Sequence, residues 1–294
     1  MKELVAILSI MTIINIMSIG NSLKPVSNIN PTYQLEKHQS DEEKLSNNIH
    51  ISERNLLLNQ NASGLDTDIW WPEMPNNIYS GMVSWKYAEY GMPAYRFELR
   101  RNDYDVNNGK RSEISKIIPE TPLEENTYYF DILLPSGGNE EYLIDPKCGD
   151  ILVQWHNVPD PGEEWTIPPL ALQTYGERYK LHLAWDKDKY STTSKILSNG
   201  QCKEYDLGSL TEDKGRYVQW AFHVKWGWEK SQDPILEVYK DGEKILDLSG
   251  QPNTMNDEHG VCQKIGIYKS SWTEQPESSI IDRRVVYYNN VHVE

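Results

Sequence analysis

Short segments of alternating or uniformly apolar residues recur between turn signals, and they restrict the fold more than any other feature of the sequence. Twelve such segments follow residue 80, and none of them shows a sustained helical period. A period of two is typical of half-buried strands. The segments are residues 81–87, 95–100, 111–117, 127–134, 151–156, 170–175, 179–185, 217–226, 235–240, 243–248, 264–269 and 283–293. The pattern predicts an all-β chain folded as a β-jelly roll, a concanavalin-like sandwich of two antiparallel sheets with a concave cleft.

The first 66 residues differ in composition from the rest of the chain. Residues 1–20 contain Lys2, then an apolar run too short to cross a bilayer, then small residues, which is typical of a secretory signal peptide. Residues 21–66 are polar and aperiodic, which indicates a disordered tether. We therefore expect a folded domain over residues 67–294 that is secreted, extracellular or periplasmic, and free of the membrane after signal cleavage.

The charge balance and the cysteines restrict the partners. The chain has 29 basic and 44 acidic residues, a net charge of −15, which argues against nucleic acid as a partner. Three cysteines, Cys148, Cys202 and Cys262, predict one disulfide and one free thiol in an exported chain. Their spacing matches no zinc motif, so no metal site is predicted. We expect a monomer without a cofactor, although oxygen-rich loops leave calcium as a possible ion.

One apolar run, ILVQWH, differs from an ordinary core strand. Alternation places Val153 and Trp155 on one face, and Leu152, Gln154 and His156 on the other. A core strand has little reason to carry an amide and an imidazole side by side. We therefore expect the second face to form the floor of a cleft.

Charged residues alternate with apolar ones in two segments that are close in sequence. Arg96, Glu98 and Arg100 share one face of the first segment, and Arg111 and Glu113 repeat the arrangement after a polar hairpin tip. If the two strands are adjacent, they present three Arg interleaved with two Glu. Arg binds carboxylates through paired, charge-assisted hydrogen bonds, so these residues are candidates for binding an acidic substrate. The alternative is an ordinary lattice of cross-strand ion pairs.

A third segment, KIGIY, is a candidate for acid–base chemistry. Lys264, Gly266 and Tyr268 share one face of the predicted strand. Gly266 would leave room for a bulky group to lie across the strand. Lys264 would favour the phenolate of Tyr268, and a Tyr so placed can transfer a proton.

Together these segments suit one reaction, the removal of the C5 proton of a uronic acid followed by loss of the 4-linked sugar. The C5 proton is weakly acidic until the neighbouring carboxylate is neutralised. Arg, Gln or protonated His can stabilise the enolate that develops. A base then removes the proton, and an acid protonates the leaving oxygen.

The three motifs also resemble a known family. The sequences RSEI at 111–114, QWH at 154–156 and KIGIY at 264–268 are similar to the signature strands of jelly-roll polysaccharide lyases. From about residue 70 onward the chain is most similar to the heparin lyase I and glucuronan lyase group, with the alginate lyases as more distant relatives.

The resemblance implies roles for individual residues. His156 and Tyr268 would transfer protons, while Gln154 and Arg111 would bind the uronate carboxylate. The remaining candidate substrate-binding residues are Lys264, Arg96, Arg100 and Glu113. Departures from the alginate lyase motifs favour a substrate other than alginate; they are Ser115, Cys262 and Ser270, in place of Arg, Tyr and Gln.

We therefore expect a secreted polysaccharide lyase that cleaves an acidic, uronic-acid-containing polysaccharide by β-elimination. Two alternatives stay open: a non-catalytic carbohydrate-binding jelly roll, and a glycoside hydrolase of the related sandwich fold, which would need two carboxylates about 5 to 10 Å apart. The proton transfer also has two forms. His156 is the base and Tyr268 the acid if they lie on opposite sides of the sugar; otherwise Tyr268 does both and His156 neutralises the carboxylate.

Overall fold

A computed structural model describes residues 66–89 and 91–294 of the chain. These residues form two antiparallel sheets of seven strands each. The predicted signal peptide, residues 1–20, and the predicted tether, residues 21–66, lie outside the described residues apart from Asp66. In the described part of the chain, no helix has the length and apolar character needed to cross a membrane.

Sheet A contains, in spatial order, β1 (Trp70–Glu73), β4 (Arg111–Lys116), β13 (His259–Tyr268), β6 (Gly149–Val158), β7 (Leu170–Tyr175), β8 (Arg178–Ala184) and β9 (Cys202–Ser209). Sheet B contains β12 (Glu243–Asp247), β11 (Ile235–Lys240), β10 (Tyr217–Lys225), β5 (Glu125–Leu133), β14 (Arg283–Val293), β3 (Met92–Arg100) and β2 (Gly81–Glu89). The described residues also form two short α-helices, α1 (Thr193–Ser198) and α2 (Ser271–Glu274). This architecture confirms the prediction of an all-β jelly roll.

The core between the sheets follows from the alternation of apolar residues. Val153 and Trp155 of β6 are fully buried and face sheet B. The Trp155 ring centre lies 5.1 Å from that of Phe222 on β10 and 5.0 Å from that of Tyr128 on β5. Each large side chain buried in this way contributes about 1.5–3 kcal/mol to folding. Because these rings fix one face of β6 inward, the next residues in alternation point outward.

Leu152 is an exception to the predicted alternation. It is fully buried in the same hydrophobic cluster as Val153, although it was expected beside Gln154. The pairing of β6 with β7 shifts register between Ile151 and Val153. A bulge of this kind turns a side chain to the other face, so the prediction for Leu152 is wrong.

Alternation predicts neither β1 nor β9, the two edge strands of sheet A. The first has only four residues and includes Pro72, which edge strands tolerate. The second is mostly polar and partly exposed, so one of its faces shows no apolar row. Both strands therefore form through pairing with a neighbour rather than through a pattern of their own.

The predicted disulfide is not present. Cys148, Cys202 and Cys262 are all free thiols. Cys262 lies opposite His156 in the pairing of β13 with β6, and Cys202 begins the edge strand β9. The three residues therefore lie on different parts of the chain: Cys148 just before β6, Cys262 on β13 and Cys202 on β9.

Candidate active site

The outward face of β4, β13 and β6 brings six of the predicted site residues together, Glu113 included. Lys264 lies opposite Gln154, and Tyr268 lies opposite Arg111. His156 follows Gln154 by two residues on β6 and shares its face. Paired side chains of adjacent antiparallel strands lie on the same face. The row of Gln154 and Lys264 therefore lies between His156 at one end and Tyr268 at the other.

The environment of His156 keeps its imidazole neutral. Its Nδ1 lies 3.1 Å from the backbone oxygen of Asn157, and a carbonyl oxygen can only accept, so Nδ1 carries the proton. The ring of Trp165 covers it edge-on, with 5.1 Å between ring centres. Burial, and then the positive charge of Lys264, lower the pKa of His156 to about 4. At neutral pH the second nitrogen, Nε2, therefore has a free lone pair.

The environment of Tyr268 keeps its phenol protonated. Burial raises the pKa of its hydroxyl, and the Arg111 guanidinium, 4.4 Å from the ring centre, opposes that shift in part. The backbone of Gly109 packs against the ring: a Cβ on this residue would come within 2.7 Å of a ring carbon of Tyr268. The phenol is thus held between Arg111 and the loop that precedes β4.

Gln154 is oriented by the fully buried carboxyl group of Glu113. Its amide nitrogen donates to Oε1 of Glu113 at 2.6 Å. Arg111 donates to the other oxygen at 3.4 Å. Burial raises the pKa of Glu113, against the charges of Arg111 and Lys264. Glu113 therefore lies behind the amide of Gln154 and the guanidinium of Arg111, and its hydrogen bonds fix the orientation of both groups.

A second carboxylate, Glu73 on the edge strand β1, joins the same network. Nζ of Lys264 donates to both of its oxygens, at 2.8 and 3.0 Å. Arg111 and Asn107 donate to Oε2 at 3.3 and 3.1 Å. Although burial acts to raise it, the charges of Lys264 and Arg111 hold the pKa of Glu73 below its ordinary value. Glu73 is therefore ionised and offsets part of the positive charge of the site.

Arg96 and Arg100 do not take part in this site. Both lie on β3 in sheet B, whereas Arg111 lies on β4 in sheet A, so the prediction that the two strands are adjacent is wrong. Residues 101–110 connect the two sheets, and the predicted polar tip at 107–109 is a tight turn within this connection, closed by an antiparallel bridge between Val106 and Gly109. Arg96 and Arg100 both donate to Glu98, with Arg100 at 2.6 Å. In sheet B these residues form the lattice of ion pairs that was the alternative interpretation.

Two interpretations of the KIGIY segment also need correction. The pairing of β13 with β6 shifts register between Ile265 and Tyr268, and Lys264 bonds Glu73 instead of lying against Tyr268. At Gly266, where φ is +136°, a Cβ would come 2.3 Å from a backbone oxygen of β4. Gly266 is therefore required by the close approach of the neighbouring strand, not by space for a ligand.

Three site residues were missed by the sequence reasoning: Glu73, Asn107 and Trp165. Glu73 lies on a strand that shows no alternation, and its partner Lys264 is 191 positions away. Asn107 looks like an ordinary turn residue. Trp165 is 65% exposed in the loop after β6, and the high Trp content of the chain was its only signal.

The comparisons with known proteins agree with this fold and show the family of the chain. The family model described as "Polysaccharide lyase" matches residues 82–292, well over half of the chain. No curated protein sequence matches significantly. The endo-β-1,4-glucuronan lyase of the fungus Trichoderma reesei is similar in structure, with a TM-score of 0.60 and 16% identity over 76% of this chain and 89% of that one.

A second similar structure is alginate lyase A1-II′, a member of polysaccharide lyase family 7. It has a TM-score of 0.51 and 11% identity, over 77% of this chain and 94% of that one. At such low identities the two structures support the jelly-roll fold alone, whereas the family match covers β4, β6 and β13. The prediction of a polysaccharide lyase is confirmed, and the chain belongs to the polysaccharide lyase family.

Proposed function

We propose that this lyase cleaves a polymer of 4-linked uronic acid by β-elimination. The observation that carries the proposal is the row of the sheet that has His156 at one end and Tyr268 at the other, on the same face as Gln154 and Arg111. His156 is neutral, with a free nitrogen, and Tyr268 is a protonated phenol. On the same face, Gln154 and Arg111 offer the donors that a carboxylate needs.

In the proposed mechanism the uronate carboxylate binds Gln154 and Arg111. Their donors stabilise the negative charge that develops when the C5 proton leaves, because they are already oriented by Glu113 and Glu73 before the reaction starts. Nε2 of His156 takes the C5 proton. The electron pair forms a double bond between C4 and C5, the bond from C4 to the linking oxygen breaks, and Tyr268 protonates that oxygen.

The protonation state of His156 favours this assignment over the alternative in which it neutralises the carboxylate. A neutral imidazole with its proton on Nδ1 offers a lone pair at Nε2, which repels a carboxylate. Protonation would require a pH near 4, the lowered pKa of His156. Tyr268 as both base and acid would first need to lose its proton, against the effect of burial.

We also propose an exported protein with an acidic polysaccharide as substrate. The signal peptide predicted at residues 1–20 supports export. The name of the Trichoderma reesei enzyme makes β-1,4-glucuronan the first polymer to test. Ser115, Cys262 and Ser270 favour this polymer over alginate.

We propose that the elimination needs no cofactor, because His156, Tyr268, Gln154 and Arg111 supply each of its steps. In the described part of the chain, no group of three or more His, Cys, Asp or Glu side chains is arranged to hold a metal ion. Activity should therefore survive dialysis against a chelator. Loss of activity that added calcium restores would contradict this proposal.

The function is tested with a panel of uronate polymers: glucuronan, heparin, heparan sulfate, hyaluronan and alginate. The product absorbs in the ultraviolet because its new double bond is conjugated with the carboxylate. Tyr268→Phe should lower turnover at least about 10²-fold with the fold intact. The control is Tyr190→Phe, the same change at a 58% exposed position. Reducing ends without absorbance would indicate a hydrolase. A Tyr268→Phe enzyme as fast as the wild type would show that the mechanism is wrong.

A further inference from the structure

The edge strand β1 supplies a charge to the site from outside the region that matches the family. The family match begins at residue 82, whereas Glu73 lies at the end of β1. β1 pairs with β4 so that Glu73 lies opposite Glu113. This register places the Glu73 carboxylate against Lys264 and Arg111 at 2.8–3.3 Å.

The contacts of Lys264 separate it from the groups that face the substrate. Lys264 is 8% exposed, and both oxygens of Glu73 lie within 3.0 Å of its Nζ. A carboxylate of the substrate would have to displace this buried ion pair in order to bind Lys264. Breaking a buried pair is strongly unfavourable, so the expected role of Lys264 in direct substrate binding has little support from this geometry.

We propose that Glu73 and Lys264 act together as positioning residues: Glu73 holds Arg111 in place against Tyr268 and balances the charge of the site. This inference rests on the proposed function. Without Glu73 the site would contain Arg111 and Lys264 against Glu113 alone. The excess positive charge would act on both proton-transfer groups.

The direction of that effect is the same for both groups. Tyr268 faces Arg111 and Glu113 from β4 and Glu274 from α2, while His156 faces Lys264, Arg111 and Glu73. Unbalanced positive charge favours the phenolate and disfavours the imidazolium, so both pKa values fall. A general opening of the site to water acts differently, because it would raise the pKa of His156 towards its ordinary value of 6.5.

The experiment compares Glu73→Gln with the wild type through the pH dependence of kcat/KM on the polymer that the wild type cleaves best. Both limbs of the profile should move to lower pH, by about 0.5 to 1 unit. Glu73→Asp keeps the charge and should leave the limbs in place with lower turnover. In the double variant Glu73→Gln, Lys264→Met, the limbs should return towards their wild-type positions, because its charge is balanced again.

The matched control is Glu98→Gln, since Glu98 is also a buried carboxylate bonded to Arg side chains, but in sheet B. It should lower the melting temperature without moving either limb. The pKa of His156, followed by NMR without substrate, gives a readout that does not depend on activity. If His156 titrates at an unchanged or higher pH in Glu73→Gln, the inference is wrong. If the wild type cleaves no uronate polymer but the pKa of His156 is lower in Glu73→Gln, the proposed function is wrong and the role of Glu73 in balancing the charge is supported.

Discussion

Trp165→Ala should raise the pKa of the imidazole that we propose as the base. The indole lies edge-on to His156, with 5.1 Å between ring centres, and burial is the largest cause of the lowered pKa. Because Trp165 is 65% exposed, its removal should admit water to the imidazole without opening the core. A hydrated imidazole accepts a proton more easily, so the pKa rises.

The structure sets the limits of this effect. The pKa of His156 is about 4, against an ordinary value of 6.5. The difference corresponds to about 3 kcal/mol that disfavours the charged imidazole. Trp165→Ala can recover at most this amount, and less if Lys264 keeps its share. We therefore expect the acid limb of kcat/KM to move upward by about 1 to 2 pH units, towards but not beyond 6.5.

The assay measures kcat/KM against pH on one uronate polymer, because this ratio reports the pKa values of the free enzyme. The carboxyl groups of the polymer also titrate in acid, but they do so equally for both enzymes. The difference between the two profiles therefore belongs to the protein. Trp85→Ala, at a 68% exposed position on β2 in sheet B, is the matched control and should leave the limb unchanged.

Two results would refute this role of burial. A wild-type acid limb near 6.5 would mean that His156 is not kept neutral by burial. A limb near 4 that stays in place in Trp165→Ala would mean that the indole does not control the hydration of His156. A lower kcat/KM at every pH would not count against the prediction, since Trp165 also borders the site.

Two further substitutions test the supports of Tyr268 and of the fold behind it. Gly109→Ala should lower turnover by up to about 10²-fold, because its Cβ would come 2.7 Å from the phenol ring of Tyr268 and displace it. The melting temperature should change little. A turnover equal to that of the wild type would contradict this prediction. Lys269→Met should lower the unfolding free energy by about 3–5 kcal/mol, since Lys269 is fully buried and bonds Asp145 and Asp150 at 2.9 and 2.8 Å. Denaturant titration measures that loss, and a change below about 1 kcal/mol would show that the buried cluster is not needed.

The face on which Gln154 and His156 lie could be predicted from the sequence, because it follows from strand alternation. Gln154 and His156 alternate with Val153 and Trp155, whose burial leaves the polar pair no other side. The same rule failed at Leu152, where a bulge in the pairing with β7 changes the face. Bulges depend on the neighbouring strand, so the period of a single segment does not contain them.

The partners of each residue could not be predicted, because they depend on which strands become neighbours. The sequence placed Arg96 and Arg100 beside Arg111, on strands separated only by residues 101–110, yet the chain crosses to the other sheet between them. Glu73 and Lys264 are far apart in sequence and form the closest ion pair of the site. The motifs therefore predict which side chains the site contains, whereas the order of the strands determines which charged partners each side chain has.

The charge balance of the site leads to a last prediction, on salt. Arg96 and Arg100 bond Glu98 in sheet B and therefore add no positive charge beside Arg111. Glu73 and Glu113 oppose Arg111 and Lys264, and the whole chain has a net charge of −15. A polyuronate is also negatively charged, so the chain repels it at long range. This repulsion reaches about 30 Å in 0.01 M salt and about 8 Å in 0.15 M salt, whereas contacts at hydrogen-bond distance stay in place. We therefore expect kcat/KM on a polyuronate to stay level or rise over this range. A tenfold fall would contradict this expectation, because it would mean that long-range attraction to a positive surface governs binding.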